Sequence, residues 1–276
     1  MKIKMKSEYI IAAGIFLLAS IIILSVFAQV FTSHNPVETN ASNRLMPPDN
    51  IHIFGTDQMG RDMFARVLYG GRATIIASFL TMFVTLMIGT ILGIIGGYYA
   101  GSILDTILLR IIDALMGFPF MILAMLITAL FGTGFIHLLI AITSVRWIPF
   151  ARLARSITLS AKESVGVMAA KVTGASDLRI MKKEILPKIL SPAFTLATFE
   201  LGNLILSISA LSFFGLGAKP PTPEWGSILA DSKPYFFQSP HLIILPSLFI
   251  FSTVLALNLI GEGLRDKFET YEVYDI

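Results

Sequence analysis

The chain has 276 residues, of which 55% are hydrophobic and 14% are charged, and its formal net charge is +3. Soluble domains usually carry charge on about a quarter of their residues, so this composition argues against a water-facing protein and makes lipid the expected solvent. The small, scattered net charge predicts no nucleic-acid partner, and the absence of cysteine excludes disulfides and thiolate sites.

Six apolar stretches approach or exceed the roughly 20 residues that a helix needs to cross the hydrocarbon core, and the fourth is the shortest. They are 9–30, 73–99, 103–130, 135–150, 193–214 and 241–260. The first follows Lys2, Lys4 and Lys6, but it is longer than the apolar part of a secretory signal peptide, about 7–15 residues. We therefore expect a retained first membrane helix.

Lysine and arginine concentrate in the cytoplasmic segments of membrane proteins. Here they gather at the N-terminus, in 151–192 and in the C-terminal tail. Six spans place these regions on one side, which predicts an all-α, multi-pass protein of the cell membrane with both termini in the cytoplasm. We divide the chain into 1–72, a membrane helix with an extracytoplasmic segment, and 73–276, a core domain containing the basic loop 151–192.

The outer segment between the first two spans combines charged and small residues. Asp57, Arg61 and Asp62 have helical spacing beside Gly55 and Gly60. This pattern predicts a capped turn held by an ion pair.

The second span has four glycines on one helix face, where helix backbones can approach closely. They are Gly89, Gly93, Gly97 and Gly101. Packing within this chain is the favoured interpretation, and packing against a sister subunit is the alternative.

Ionisable residues inside membrane spans are candidates for function. Arg110 and Asp113 are expected to pair on one face of the third span, and Arg146 is expected to snorkel at the cytoplasmic end of the fourth. The fifth span has a polar stripe of Glu200, Asn203, Ser207 and Ser209. This stripe either faces a translocation path or subunit interface, or forms an inter-helix hydrogen-bond network.

The basic loop is predicted to form a helix–turn–helix beneath the membrane. Its first helix should end at Gly174, a residue suited to the left-handed position after a helix. Ser176 or Asp177 is placed to cap the second helix, which Pro187 should close. Small residues at Ala169, Ala170 and Gly174 would form a knob for another protein's groove; the alternative is an amphipathic loop on anionic headgroups.

The segment after the fifth span is rich in glycine and proline. Gly215 and Gly217 allow a tight exit from the membrane, and prolines such as Pro221 stiffen the chain. Trp225, followed by Gly226, is expected to anchor at the membrane interface.

Motifs for catalysis and nucleotide binding are missing from the sequence. It contains no Gly-x4-Gly-Lys-Ser/Thr phosphate loop, no His-Glu-x-x-His zinc motif and no Gly-x-Ser-x-Gly turn. The dispersed histidines are interpreted as loop or interface residues rather than metal ligands: His34, His52, His137 and His241. We expect no catalytic residue, metal or cofactor in this chain.

Three segments resemble the permease subunits of ABC importers, in the dipeptide, oligopeptide and nickel family. Ala169-Ala170-x3-Gly174 followed by Leu186-Pro187 is similar to that family's EAA loop. The stretch 54–72 looks like the segment between its first two spans, and 211–217 with 220–226 is similar to its signature after the fifth. The matching signature residues are Gly55, Thr56, Asp57, Gly60, Arg61, Asp62, Gly215, Gly217, Pro221, Trp225 and Gly226.

The resemblance implies a heterodimer with a sister permease, two ATPase subunits that use ATP and magnesium, and an extracytoplasmic solute-binding protein. It implies that the loop docks on an ATPase through Met168, Ala169, Ala170, Gly174, Asp177, Leu186 and Pro187. Three positions depart from the family pattern: Met168 replaces the glutamate that names the loop, Glu184 a usual isoleucine, and Ile208 a frequent acid.

With its compact chain and short N-terminal tail, the protein most resembles the nickel-import permeases of this family. The resemblance implies nickel, or a nickel chelate, as the imported solute, with dipeptide or oligopeptide import as the alternative. Two other hypotheses are an intramembrane enzyme and a stand-alone channel or scaffold. The first lacks a nucleophile–base or metal constellation, and co-purification with an ATPase would distinguish the second.

Overall fold

The computed structural model describes residues 2–132 and 134–274, with side chains within 7–132 and 134–267. The described residues are almost entirely helical, and their one β pairing is an isolated antiparallel bridge between Thr56 and Asp62. The side chains of Lys2, Lys4 and Lys6 lie outside the described part. The cytoplasmic placement of the termini therefore stays a prediction.

The α-helices follow one another along the described chain except in 32–62, which holds only the 3-10 turn Ala41–Asn43. They are α1 (Lys2–Val26), α2 (Ala28–Phe31), α3 (Met63–Tyr98), α4 (Ile103–Met116), α5 (Phe120–Phe131), α6 (Phe135–Arg146), α7 (Ile148–Lys162), α8 (Val165–Val172), α9 (Asp177–Ile180), α10 (Leu186–Phe213), α11 (Trp225–Ser232) and α12 (His241–Tyr274). A π-helical turn, Met181–Ile185, joins α9 to α10. The predicted all-α fold is confirmed.

Five helical stretches are long and apolar enough to cross a membrane: Ser7–Val26, Met63–Tyr98, Phe135–Lys162, Asp177–Phe213 and His241–Lys267. A sixth candidate is the pair α4 and α5, whose axes meet at 95°. The prediction of about six membrane helices thus holds as five continuous spans and one bent pair. Helix faces that point outward are apolar, as at Phe79, Leu80 and Phe83 of α3, which suits lipid or neighbouring subunits.

The third span is not the single helix predicted over 103–130. It breaks between Met116 and Phe120, because Pro119 disfavours a helical conformation at the residue before it and lacks a backbone N–H. Arg110 and Asp113 are exposed on α4. No ion pair joins them in the part of the chain that is described, so their predicted pairing is wrong.

The glycine row packs within this chain, as favoured from the sequence. Cβ atoms added at Gly89 and Gly97 would lie 2.6 and 2.7 Å from the Cβ atoms of Phe150 and Thr158 on α7, and Gly93 lies between them on the same seam. The α3 and α7 backbones therefore touch closely. Gly101 lies beyond the end of α3, with no atom within 4 Å of an added Cβ.

Helical structure continues further than predicted on both sides of the loop. The fourth span extends through α7 to Lys162, and the fifth runs from Asp177 to Phe213. Pro187 does not close the second loop helix, which corrects the prediction. It occupies the first turn of α10, where a missing N–H breaks no intrahelical bond.

Candidate functional site

The turn after α8 has the geometry that Gly174 was predicted to provide. Gly174 has φ +77°, in the left-handed region that favours glycine. Its N–H donates to the Lys171 carbonyl at 3.0 Å, and the Ala175 N–H donates to the Ala170 carbonyl at 2.9 Å. These are the paired bonds of a Schellman turn, so the predicted end of the first loop helix is confirmed.

The outer face of α8 is apolar and exposed. Val165, Met168 and Val172 are 81%, 53% and 89% exposed, and their spacing places them on one helix face. Val167, on the inner side, is fully buried in a cluster with Ile180 and Ile185. The inner face thus fixes α8 on the protein while an apolar ridge, formed by Val165, Met168 and Val172, points away from it.

The predicted knob forms part of a groove rather than a protrusion. Ala169 and Gly174 are exposed and Ala170 is half-buried. Together they line a cleft of about 540 Å³ between α8 and the start of α9, with Arg179 and Lys183 on its rim. A partner segment that fills this cleft would meet small residues and positive charge.

Asp177 fastens the loop to the end of α3. No side chain caps the N-terminus of α9, so the predicted capping by Ser176 or Asp177 is wrong. The Asp177 carboxylate instead accepts hydrogen bonds from the hydroxyls of Tyr98, at 2.6 Å, and Tyr99, at 3.0 Å. The hydrogen bond to Asp177 raises the pKa of Tyr99 above its ordinary value.

Further contacts tie the loop to the membrane helices around it. Lys162 Nζ donates to the Tyr98 carbonyl at 2.7 Å, and Lys188 Nζ donates to Ser164 Oγ at 3.1 Å. Leu186 is half-buried and Pro187 exposed where α10 begins. The segment around α8 is therefore tied to both α3 and α10.

Arg146 does not snorkel as predicted, because its guanidinium turns inward between the helices. Nη1 donates to Glu200 Oε2 at 3.1 Å, Nη2 donates to Ser207 Oγ at 2.7 Å, and the guanidinium lies 4.2 Å from the Phe120 ring centroid. This network joins α5, α6 and α10 through Glu200 and Ser207. Asn203 is exposed on α10.

The ion pair predicted in the first outer segment is present and belongs to a larger cluster. Arg61 Nε is 2.6 Å and Arg66 Nε 3.3 Å from Asp57 Oδ2, and both guanidinium groups also reach Asp231 in the last turn of α11. Asp57, Arg61 and Arg66 are at most 2% exposed. The cluster links the start of α3 to the segment after the fifth span.

Asp62 caps α3, since its Oδ1 accepts from the Ala65 N–H at 2.7 Å. Its Oδ2 lies 2.9 Å from Nδ1 of His52. The His34 ring lies beside this pair, with 5.0 Å between the centroids of His34 and His52. The description of the histidines as dispersed is therefore wrong for these two, whose proximity arises from the turn geometry of the loop.

The glycines and the threonine of this segment shape its turns. Gly55 and Gly60 have φ +69° and +73°. The Thr56 hydroxyl accepts from the Met46 N–H at 2.9 Å and donates to the Asn43 carbonyl. Positive φ angles at the two glycines and the hydroxyl bonds of Thr56 account for these three signature residues.

Trp225 is not an interfacial anchor. It is fully buried, and its Nε1 donates to the Val67 carbonyl at 2.9 Å. Gly226 packs against the backbone of Ser209, where a side chain would collide. The segment after the fifth span is thus inserted between α3 and α10.

The other signature residues of this segment lie where the chain leaves α10. Gly215 has φ +84°, which confirms the predicted tight exit. A Cβ at Gly217 would collide with Ser212, and Pro221 is exposed.

Two buried acids are not evident from the sequence pattern. Asp105 accepts two bonds from Arg155, at 2.7 and 2.9 Å, which joins α4 to α7. Glu224 is fully buried and caps α11, accepting from the Gly226 and Ser227 N–H groups at 2.9 Å. Burial raises the pKa of the Glu224 carboxyl. An acid immediately before a short helix is the signal that points to this cap.

Comparison with known proteins gives consistent matches. A family model described as "Binding-protein-dependent transport system inner membrane component" matches residues 89–270. The chain is 40% identical to "Dipeptide transport system permease protein DppC" of Alkalihalophilus pseudofirmus, covering 96% of this chain and 87% of the relative. It is 38% identical to "Glutathione transport system permease protein GsiD" of Shigella flexneri, covering 90% and 82%.

A further relative and a solved structure agree with these matches. The dipeptide permease DppC of Haemophilus influenzae is 35% identical, with 93% of this chain and 88% of that relative covered. A chain of the inward-facing MetNI methionine ABC transporter superposes with a TM-score of 0.57 at 21% identity, over 72% of this chain and 94% of that one. At this identity the superposition supports the fold alone.

Proposed function

Because the chain belongs to the family of binding-protein-dependent transport system inner membrane components, we propose that it helps to import short peptides across the membrane. It is a multi-pass inner-membrane permease subunit of an ABC importer rather than an enzyme. The relatives named for dipeptide and glutathione transport support the peptide substrate, since glutathione is itself a tripeptide. They favour the peptide alternative over the nickel expected from the sequence.

The proposed mechanism rests on α8, which is buried on one face and exposed on the other. Its inner residue Val167 is fully buried, whereas the apolar ridge is among the most exposed parts of the described chain. Exposed apolar surface with defined geometry marks an interaction site. The ridge and the neighbouring small-residue cleft would dock on a partner ATPase, which would hold the ATP and magnesium.

Asp177 would carry that movement into the membrane. It joins the loop to Tyr98 and Tyr99 at the end of α3, and α3 is packed along its glycine seam against α7. Closure of the ATPases would therefore tilt α3 and α7 together. A sister permease would complete the pathway, and an extracytoplasmic binding protein would deliver the peptide to the opposite side.

Uptake measurements test the substrate directly. We expect cells that lack this gene to lose uptake of a labelled dipeptide while uptake of radioactive nickel is unchanged. The wild-type gene should restore the dipeptide signal. Loss of nickel uptake alone would keep the permease and overturn the peptide substrate.

The role of the Arg146 network is tested with Glu200→Gln. The amide keeps a hydrogen-bond partner for Arg146 but removes the negative charge, and a charge-assisted bond exceeds a neutral one by about 1 kcal/mol. If the network lines the path or moves during transport, dipeptide uptake should fall by roughly fivefold while the protein is inserted at wild-type levels. Unchanged uptake in Glu200→Gln would assign the network to structure alone.

A further inference from the structure

Three side chains between α1 and α3 bring metal-ligand atoms together. Nδ1 of His52 is 2.9 Å from Oδ2 of Asp62, and Nδ1 of His34 is 3.9 Å from the same oxygen. The ligand atoms of all three residues lie within 4.8 Å of one another. We propose that His34, His52 and Asp62 form a binding site for a zinc-type divalent transition metal ion, which joins the end of α1 to the start of α3.

The distances fit such an ion with little movement. Zinc lies about 2.0–2.2 Å from imidazole nitrogen and carboxylate oxygen, so tetrahedral ligand atoms are about 3.3–3.5 Å apart. The distances from Asp62 Oδ2 to Nδ1 of His52 and of His34, 2.9 and 3.9 Å, lie below and above that range. His34 is the side chain with room to adjust, since 36% of it is exposed, against 9% for His52 and 3% for Asp62.

The ligand set selects the class of ion. Two imidazoles and one carboxylate, with a fourth position for water, are typical of open zinc sites. Magnesium and calcium prefer oxygen ligands alone. The exposed edge of His34 supplies both the entry path and the place for the water ligand.

Surrounding groups already orient the two buried ligands. Asp62 Oδ1 accepts from the Ala65 N–H at 2.7 Å, which leaves Oδ2 for the ion. His52 lies in a turn in which the Asp49 N–H donates to the His52 carbonyl at 3.0 Å. Its Nε2 is 3.4 Å from the Asn43 side-chain amide. With metal on Nδ1, Nε2 keeps its proton and donates it to the Asn43 amide oxygen, after that amide rotates by half a turn.

A hydrogen-bonded pair of His52 and Asp62 would explain only two of the three residues. His34 Nδ1 is too far from Asp62 for a hydrogen bond, and the His34 side chain makes no hydrogen bond within the described residues. Yet it lies against the His52 ring, at a tilt of 41°. His34 therefore lies beside the other two residues without a hydrogen bond that would explain its position. A metal ion bound by all three residues would explain it.

Binding is tested on the full-length, tag-free protein in lipid nanodiscs. We expect one zinc ion per chain, retained against excess magnesium, and visible absorption typical of tetrahedral coordination when cobalt replaces zinc. Removal of an outer hydrogen-bond partner lowers metal affinity by roughly 10–100-fold, and Asn43→Ala should weaken zinc binding by that amount. His34→Gln removes a ligand itself and should weaken zinc binding by more. His137→Gln, at the exposed start of α6, should bind as wild type.

Two results would overturn the site. One is zinc binding by His34→Gln with wild-type affinity and stoichiometry. The other is zinc binding that leaves amide hydrogen exchange in 32–62 as fast as in the metal-free protein, whereas the site predicts slower exchange there. The metal-free thermal midpoint of His34→Gln should equal that of wild type, which separates loss of metal from loss of fold. These readouts are independent of the imported solute.

Discussion

Gly174→Val is expected to abolish dipeptide uptake while the protein is still made and inserted. Gly174 has φ +77°, and a residue with a Cβ in this left-handed conformation costs about 1–2 kcal/mol; β-branched valine tolerates it least. The chain relieves the strain by opening the Schellman turn, which releases the bonds to Lys171 and Ala170. The α8 ridge then loses its fixed position relative to α9. In the assembled transporter, ATP hydrolysis should no longer respond to peptide.

Gly101→Val is the matched control for this variant. Gly101 has φ +81°, and like Gly174 it has no atom within 4 Å of an added Cβ. Valine therefore introduces comparable backbone strain without a clash, but outside α8 and its turn. We expect uptake near the wild-type level. Equal loss of uptake in both variants would show that backbone strain in general, and not the position of α8, causes the defect.

Asp57→Ala is expected to cost the largest amount of folding stability, about 3–5 kcal/mol, because it removes the buried partner of two buried guanidinium groups and leaves them only the partly exposed Asp231. Asp57 is the shared ion-pair partner of Arg61 and Arg66, which are 1% and 2% exposed. Its carboxylate also accepts from the Met59 and Arg61 N–H groups, at 2.8 and 3.0 Å. Unfolding of the purified protein in detergent, followed by circular dichroism, measures the loss.

Asp231→Ala removes the other acid that contacts the same arginines. Asp231 is 24% exposed and lies 3.4 and 3.1 Å from Arg61 and Arg66, so water screens the pair and its loss should cost about 1 kcal/mol or less. A loss as large as that of Asp57→Ala would contradict the assignment of Asp57 as the central partner. The comparison holds the arginines constant and changes the burial of the acid, its distances to them and its backbone hydrogen bonds.

Features set by neighbouring residues could be predicted from the sequence. The Gly174 turn depends on a glycine just after a short helix, and the Asp57–Arg61 pair joins residues four apart. The spacing of Gly89, Gly93 and Gly97 also indicates a close helix contact, although not which helix is the neighbour. In each case the physical cause lies within one turn or one helix face.

Contacts between distant parts of the chain could not be predicted in this way. Asp177 has the composition of a helix cap, yet its hydroxyl donors are 79 and 78 residues away. Arg146 lies 54 residues from Glu200, so ordinary snorkelling was the simpler expectation. Trp225 matches an interfacial residue by type, but tertiary packing places it beneath Val67. In each of these cases a contact with a distant residue, and not the usual preference of the residue type, determines where the side chain lies.

α3 connects the buried charge cluster of the first outer segment with the Asp177 contacts of the basic loop. It has 36 residues, about 54 Å at 1.5 Å per residue, and no proline interrupts it. One end begins at the Asp62 cap beside the buried arginines, and the other ends at Tyr98 beside Asp177. If α8 moves during transport as proposed, α3 would act as a lever, since a rotation of roughly 10° about one end would carry the other through about 9 Å. Because a lever works in both directions, whatever stiffens the outer end changes the energy needed to move α8.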